Sequence, residues 1–315
     1  MKFIICAPFH DSDHSNGILG MAYLAQTLTS QGHDVKACLM ASHPHEEYPI
    51  NLSNLIEQAQ KDPNPYYSQL LPRIKVVIDK FQLRVLHDHS ESLINEHIII
   101  YPEVIITNPL KAKNIIRYYG NKPGVLNKTS PSIGANDFIL SHSKTLIANA
   151  HHVLFFAYVD PAFHDKNTFK AENRTLDLVY EGKGHLYTKM VDIDGAVLIT
   201  RHWPPSKQQL ATLLRHTRFL YTYDSWTNLN LEAILCGAIP IFLHNGPFTD
   251  EEIDDSELGT LPRIKFNQYN VSDDFFNEFE SERIKLLNRL VKIQGNWHQG
   301  VTEFTRKVKK HFQIL

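Results

Sequence analysis

Residues 219–243, FLYTYDSWTNLNLEAILCGAIPIFL, carry the reading on which the fold turns. FLYTY (219–223) and AIPIFL (238–243) are short apolar runs of strand type, and the spacing between them predicts a helix at about 227–236. Cys236-Gly237 closes that helix, because glycine enters the left-handed conformation in which helices commonly end. A strand, a helix and a strand in so short a span make the repeating unit of a parallel sheet. In such sheets ligands bind outside the carboxyl ends of the strands. The turn after FLYTY holds Asp224, with Thr227 and Asn228 in the first turn of the helix, whose unpaired N–H groups favour an anion. Glu232 follows one to two turns later, at about 1.5 Å of rise per residue. A ligand lying across this helix start would meet amides with its phosphates and carboxylates with its hydroxyls. The plainer alternative is a buried helix with Asp224 as its N-cap and Glu232 on a solvated edge.

The same alternation extends outward. Upstream stand the strands LDLVYEG (176–182) and AVLIT (196–200), then a helix over 206–218 with Ser206 as N-cap. Downstream, DEEIDDSE (250–257) reads as a solvated loop. The chain closes with a helix over 281–293 carrying Ile284, Leu287, Leu290 and Val291 on one face, and another over 299–312 carrying Val301, Phe304 and Val308. At the amino end, KFIICA (2–7), the helix ILGMAYLAQTLTSQ closed by Gly32, and DVKACLM (34–40) form a strand–helix–strand unit. A helix over 69–82 and strands at 97–105, 137–143 and 152–158 follow, and Asn108-Pro109 starts a predicted helix ending near Gly120. The composition turns polar at HDKNTFKAENR, which places a domain boundary near 150–172.

Bulk properties narrow the class. The chain has 315 residues, enough for two cores, with 43% hydrophobic and 21% charged residues. A net charge of -2 lacks the basic field of a nucleic-acid binder. The first residues are too short an apolar run for a secretory signal, and no run reaches the length of a membrane span. The three cysteines, Cys6, Cys38 and Cys236, sit in apolar runs without metal spacing, which suits reduced thiols and a cytoplasmic setting.

The set Asp224, Glu232-Ala233, Cys236-Gly237 and Pro240 resembles the donor-site signature of GT-B glycosyltransferases, in particular the retaining group with two acidic residues separated by seven. SNGILGMAYLAQTLTSQGHDV (15–35) resembles the first loop and helix of that fold, and YPEVIITNPLKAKNIIRYYGNKPG (101–124) is similar to a bacterial subset of it. The resemblance implies an α/β protein of two Rossmann-like domains facing a cleft. Residues 1–150 would form the acceptor domain and 151–290 the nucleotide-sugar domain, with 291–315 packing back on the first. It implies that Glu232 holds ribose hydroxyls, that Asp224 lies near the donor sugar, and that Thr227 and Asn228 lie near the diphosphate. Asp224 stands where glutamate is more usual, and Ser-Trp-Thr replaces a glycine-containing turn, so the sugar and the choice between retention and inversion stay open.

Further residues take roles from the same resemblance. Gly17 would occupy a close-approach turn, Lys183 and Arg201 would neutralise phosphate, and Trp203 would stack on a base; a turn lysine and simple packing are the alternatives for Lys183 and Trp203. Glu103 would contact the reacting sugar, or cap a loop. Asp13, with Asp11 and His14, would face the acceptor, as a general base if the enzyme inverts. Such enzymes work without a metal, so no cofactor is expected beyond the nucleotide-sugar substrate, and the histidines are read as scattered surface residues. Lys111, Lys113, Arg117, Lys122 and Lys128, interleaved with Ile115, Ile116, Tyr118 and Tyr119, read as a basic amphipathic stretch over 108–128 that could meet anionic lipid or a lipid-linked acceptor. The expected function is sugar transfer from a nucleotide sugar to a glycan or lipid-linked acceptor in surface polysaccharide assembly, in the cytoplasm or at the inner face of the membrane. The competing readings are a nucleotide-sugar epimerase of the same fold and an inactive nucleotide-binding partner subunit.

Overall fold

The computed structural model describes residues 1–8, 15–43, 46–61, 65–126, 128–156, 159–163, 174–268 and 272–314. Two compact units divide the chain: Met1–Phe156 with Asn296–Leu315, and Ala157–Gly295. Each is an α/β unit built on its own largely parallel sheet.

The first unit runs β1 (Lys2–Ala7), α1 (Asn16–Ser30), β2 (Asp34–His43), β3 (Glu46–Pro49), α2 (Leu52–Lys61), α3 (Pro65–Phe81), α4 (Glu91–Asn95), β4 (Ile98–Pro102), β5 (Asn114–Tyr119), β6 (Phe138–Ser141) and β7 (His152–Val153). Its seven-stranded sheet has the order β3-β2-β1-β4-β5-β6-β7, and only β3 runs antiparallel to its neighbour. Along β1 the side chains alternate: Phe3 and Ile5 join one core and Ile4 and Cys6 the other, so both faces of the sheet are covered.

The second unit runs β8 (Leu176–Tyr180), β9 (Val197–Ile199), α5 (Lys207–Arg215), β10 (Thr217–Thr222), α6 (Asn228–Leu235), β11 (Ile239–Phe242), α7 (Asp250–Asp254) and α8 (Asp273–Gly295). Its sheet has the order β11-β10-β8-β9, all parallel. The chain leaves β8 for β9 on one side and returns as β10 on the other, so the connections diverge between β8 and β10. The last helix, α9 (Trp297–His311), belongs to the first unit. There Trp297 Nε1 donates to Thr27 Oγ1 of α1 at 2.8 Å, and Val301, Phe304 and Val308 are fully buried. Each such side chain contributes roughly 1.5–3 kcal/mol by leaving water.

Three local expectations are corrected. The helix predicted after Asn108-Pro109 is absent: Asn108 instead closes its own loop, accepting from Ala112 N (2.9 Å) and donating to Ala112 O (3.0 Å). The following residues form β5 in the middle of the sheet, where Ile115, Ile116, Arg117, Tyr118 and Tyr119 are buried. β-Branched and aromatic side chains favour that half-pleated packing over a helix. The apolar half of the 108–128 stretch is therefore core, and its described residues form no amphipathic helix. The acidic segment carries α7, started by a capping box between Thr249 and Glu252, with Ile253 buried and Asp250 and Asp254 paired to the buried Arg263. On α8 the buried face passes through Phe279, Arg283, Leu286 and Leu290, whereas Ile284 and Val291 are exposed. The 3.6-residue period was legible there, but its phase was not.

Candidate functional site

The carboxyl ends of β8 and β10 flank the divergence point of the second sheet, the place where an open parallel sheet leaves a crevice. A short 3-10 turn, Gly182–Leu186, follows β8 and is pressed against the end of β10. Gly182 has φ +53°, and a Cβ there would lie 2.6 Å from Asp224 Oδ2. The close approach brings Lys183 onto Asp224: its backbone N–H donates to Oδ2 at 3.0 Å and its ammonium at 2.9 Å, with a further bond to Trp226 O at 2.8 Å. Asp224 is 5% exposed. Asn230 of α6 holds the turn from beneath, donating to the carbonyls of Asp224 (3.0 Å) and Ser225 (3.3 Å).

Thr227, not Asp224, is the N-cap of α6, accepting from Leu229 N at 3.4 Å. Glu232 is not on a solvated edge: it is 3% exposed, and its Oε1 accepts from Lys207 Nζ at 2.9 Å and from Asn228 Nδ2 at 3.2 Å. Burial pushes the Glu232 carboxyl above the usual carboxylate range, while Lys207 and Asn228 oppose that rise. Asn228 thus serves Glu232 within the helix. The far end of α6 is held by two guanidinium groups, Arg174 on Cys236 O (2.9 Å) and Arg283 on Leu235 O (2.9 Å), the favourable sign of charge for a helix carboxyl terminus. Gly237, at φ +83°, admits Arg174, since a Cβ there would sit 2.2 Å from its Nη2.

Tyr180, the last residue of β8, closes the group. Burial raises its phenol pKa, helped by Asp224, while Arg201 and Thr227 act in the opposite direction. Arg201 and Trp203 follow β9, both exposed, Trp203 at 45%. Asp224 and Lys183 therefore stand together at the turn that leads into α6, whose start carries Thr227, Asn228 and Glu232, and Arg201 follows the neighbouring strand β9. Across a parallel sheet the chemistry available is anion binding by helix amides and cations, with carboxylates placed for hydroxyl groups.

The remaining expected residues lie in the first unit or outside the described residues. Glu103 follows β4 and accepts from Gly120 N (3.1 Å) and Asn121 Nδ2 (2.7 Å), a loop-capping carboxylate. Gly17 is the second residue of α1 and is not among the glycines of positive φ, so a left-handed backbone is not what the position requires. Asp13, with Asp11 and His14, lies outside the described residues. Sequence reasoning missed Lys207 and Tyr180. A hint for Lys207 was available: a lysine in the first turn of a helix opposes the macrodipole, so it needs a partner elsewhere.

No family model matches the chain, and no curated protein sequence matches it. Among solved structures, the chain is similar to the glycosyltransferase VinC in complex with dTDP, at 11% identity over 98% of this chain and 100% of that one, with a TM-score of 0.40. It is similar to the glycosyltransferase SnogD from Streptomyces nogalater, at 12% identity over 99% and 97% of the two chains, with a TM-score of 0.37. A candidate UDP-N-acetylglucosamine 2-epimerase from Listeria monocytogenes is similar at 12% identity over 100% and 97%, with a TM-score of 0.40. At TM-scores this low the three are similarities and assign no function to the chain.

Proposed function

We propose that the chain is a nucleotide-sugar-dependent glycosyltransferase whose donor site is the crevice between β8 and β10. The observation that carries this reading is the convergence there of the Lys183–Asp224 pair, the start of α6 and the buried Glu232. In the reaction the sugar leaves a nucleoside diphosphate, so negative charge grows on the diphosphate. The first-turn amides of α6, with Arg201 and Lys183, would meet that charge as preorganised donors. Glu232 would accept from a ribose hydroxyl, and Asp224 would stand beside the donor sugar. The resemblance of the Asp224–Glu232 motif to that of retaining enzymes leads us to propose retention of configuration, with a glycan or lipid-linked acceptor in surface polysaccharide assembly as the setting. No metal is assigned to the reaction.

The test is a thermal-shift panel of UDP, GDP, dTDP, ADP and CMP on the wild type and Glu232→Ala, followed by product analysis with the matching nucleotide sugar. A ligand bound only by the native state at a hundred times its Kd stabilises by about 2.7 kcal/mol. Stabilisation by one nucleotide that Glu232→Ala loses supports the donor site. No response from any of the five overturns it, and conversion of a nucleotide sugar without any acceptor turns the reading toward an epimerase.

A further inference from the structure

The Glu232 carboxylate is used asymmetrically. Oε1 takes both hydrogen bonds, from Lys207 Nζ and Asn228 Nδ2, and Oε2 takes none from any described residue. Lys207 comes from a different helix, α5, and its side chain is 38% exposed against 4% for Glu232. The ammonium also lies 5.5 Å from the centre of the Phe163 ring, which is fully buried. An aromatic face and a carboxylate together fix a side chain that would otherwise move freely.

We propose that Lys207 is a positioning residue: it keeps Glu232 ionised and turned so that Oε2 alone is presented to a ligand hydroxyl. The proposal rests on reading Glu232 as the nucleotide contact. Among the described residues, three groups act on this carboxyl: Lys207 from α5 and Asn228 from α6 by hydrogen bonds, and Asp160 from the segment before Phe163 by its charge. Burial and Asp160 favour the protonated form; Lys207 and Asn228 favour the carboxylate. Lys207 is the only full positive charge among them. Without it, the buried carboxyl would protonate nearer to neutral pH, and Oε2 would lose the charge that makes it a strong acceptor.

The test uses Lys207→Gln and Lys207→Arg with two readouts. The first is the carboxyl 13C titration of Glu232 in ligand-free, 13C-glutamate-labelled protein, assigned with Glu232→Gln. The second is affinity for UDP, GDP and dTDP as a function of pH. Lys207→Gln is expected to raise the Glu232 midpoint by about one pH unit, and to move the acid loss of affinity upward by the same interval, about tenfold at a fixed pH on that limb. Lys207→Arg is expected to restore both in large part. An unmoved midpoint in folded Lys207→Gln overturns the proposal. A shifted midpoint in a protein that binds none of the nucleotides leaves Lys207 as the group holding Glu232 ionised and overturns the nucleotide reading instead.

Discussion

Lys183 and Asp224 join the loops that follow β8 and β10, with Nζ 2.9 Å from Oδ2 and the Lys183 backbone N–H 3.0 Å from the same oxygen. The pair therefore ties the two strands together where their connections diverge. A buried pair of this kind contributes little net stability, because desolvation offsets the attraction, but breaking it from one side is costly.

Lys183→Met is accordingly expected to destabilise the protein by about 3 kcal/mol, since it leaves Asp224 buried and uncompensated. Asp224→Asn in that background is expected to recover part of the loss. Urea denaturation of both single variants and the double variant measures the coupling; additive losses would show that the two side chains do not act as a pair.

Gly237→Ala tests the end of α6. The left-handed backbone alone costs an alanine roughly 1–2 kcal/mol, and the new methyl would also displace Arg174 from Cys236 O. A denaturation midpoint lowered by more than the backbone cost is the expected outcome. A loss no larger than that cost would mean that Arg174 moves aside freely.

Glu232 carries a pH signature in stability. Its folded-state pKa is raised by burial, so the folded protein holds this proton more tightly than the unfolded chain does. Stability from this source is fully present below the ordinary value of 4.5 and is lost as pH rises through the raised folded value. Glu232→Gln is expected to remove that slope. The difference in unfolding free energy between wild type and Glu232→Gln, followed upward from pH 4.5, should therefore drift against the wild type.

His142 carries the opposite sign. It lies just after β6, its Nδ1 3.2 Å from the Tyr118 hydroxyl and 3.4 Å from the Phe156 backbone nitrogen, and burial lowers its pKa from 6.5 to about 4. The unfolded chain takes up this proton first, so the stability it supplies is present above 6.5 and is lost as pH falls toward 4. His142→Gln is expected to flatten the stability curve over that interval, read as melting temperature against pH.

The alternation of strands and helices was legible because each element carries its own local signal: an apolar run for β1, alternation for β2, a 3.6-residue period for α9, and an apolar run with a glycine stop for α6 and β11. Ser206 was legible as an N-cap for the same local reason, and it accepts from Gln209 N as the pattern requires. Reading failed where the deciding contact is distant in sequence. Arg117 looked like part of a basic surface helix, yet it is buried against Asp137 and the carbonyls of Ile105 and Thr107. Asp250 and Asp254 looked solvated until Arg263 supplied their charge partner. The candidate site divides in the same way: Asp224 and Glu232 stand in one local motif, whereas their partners arrive from elsewhere, Lys183 from the turn after β8 and Lys207 from the start of α5, and no local spacing pairs them with these carboxylates.

The position of α9 bears on how the chain acquires its structure during synthesis. The first unit begins at β1, but its core is completed by Val301, Phe304 and Val308, which leave the ribosome after all of Ala157–Gly295. Until then Leu28 and Phe138, which share a core with those residues, lack part of their cover. The unit started first is thus finished last, and the nascent amino-terminal half carries an open apolar seam while the second unit emerges and folds.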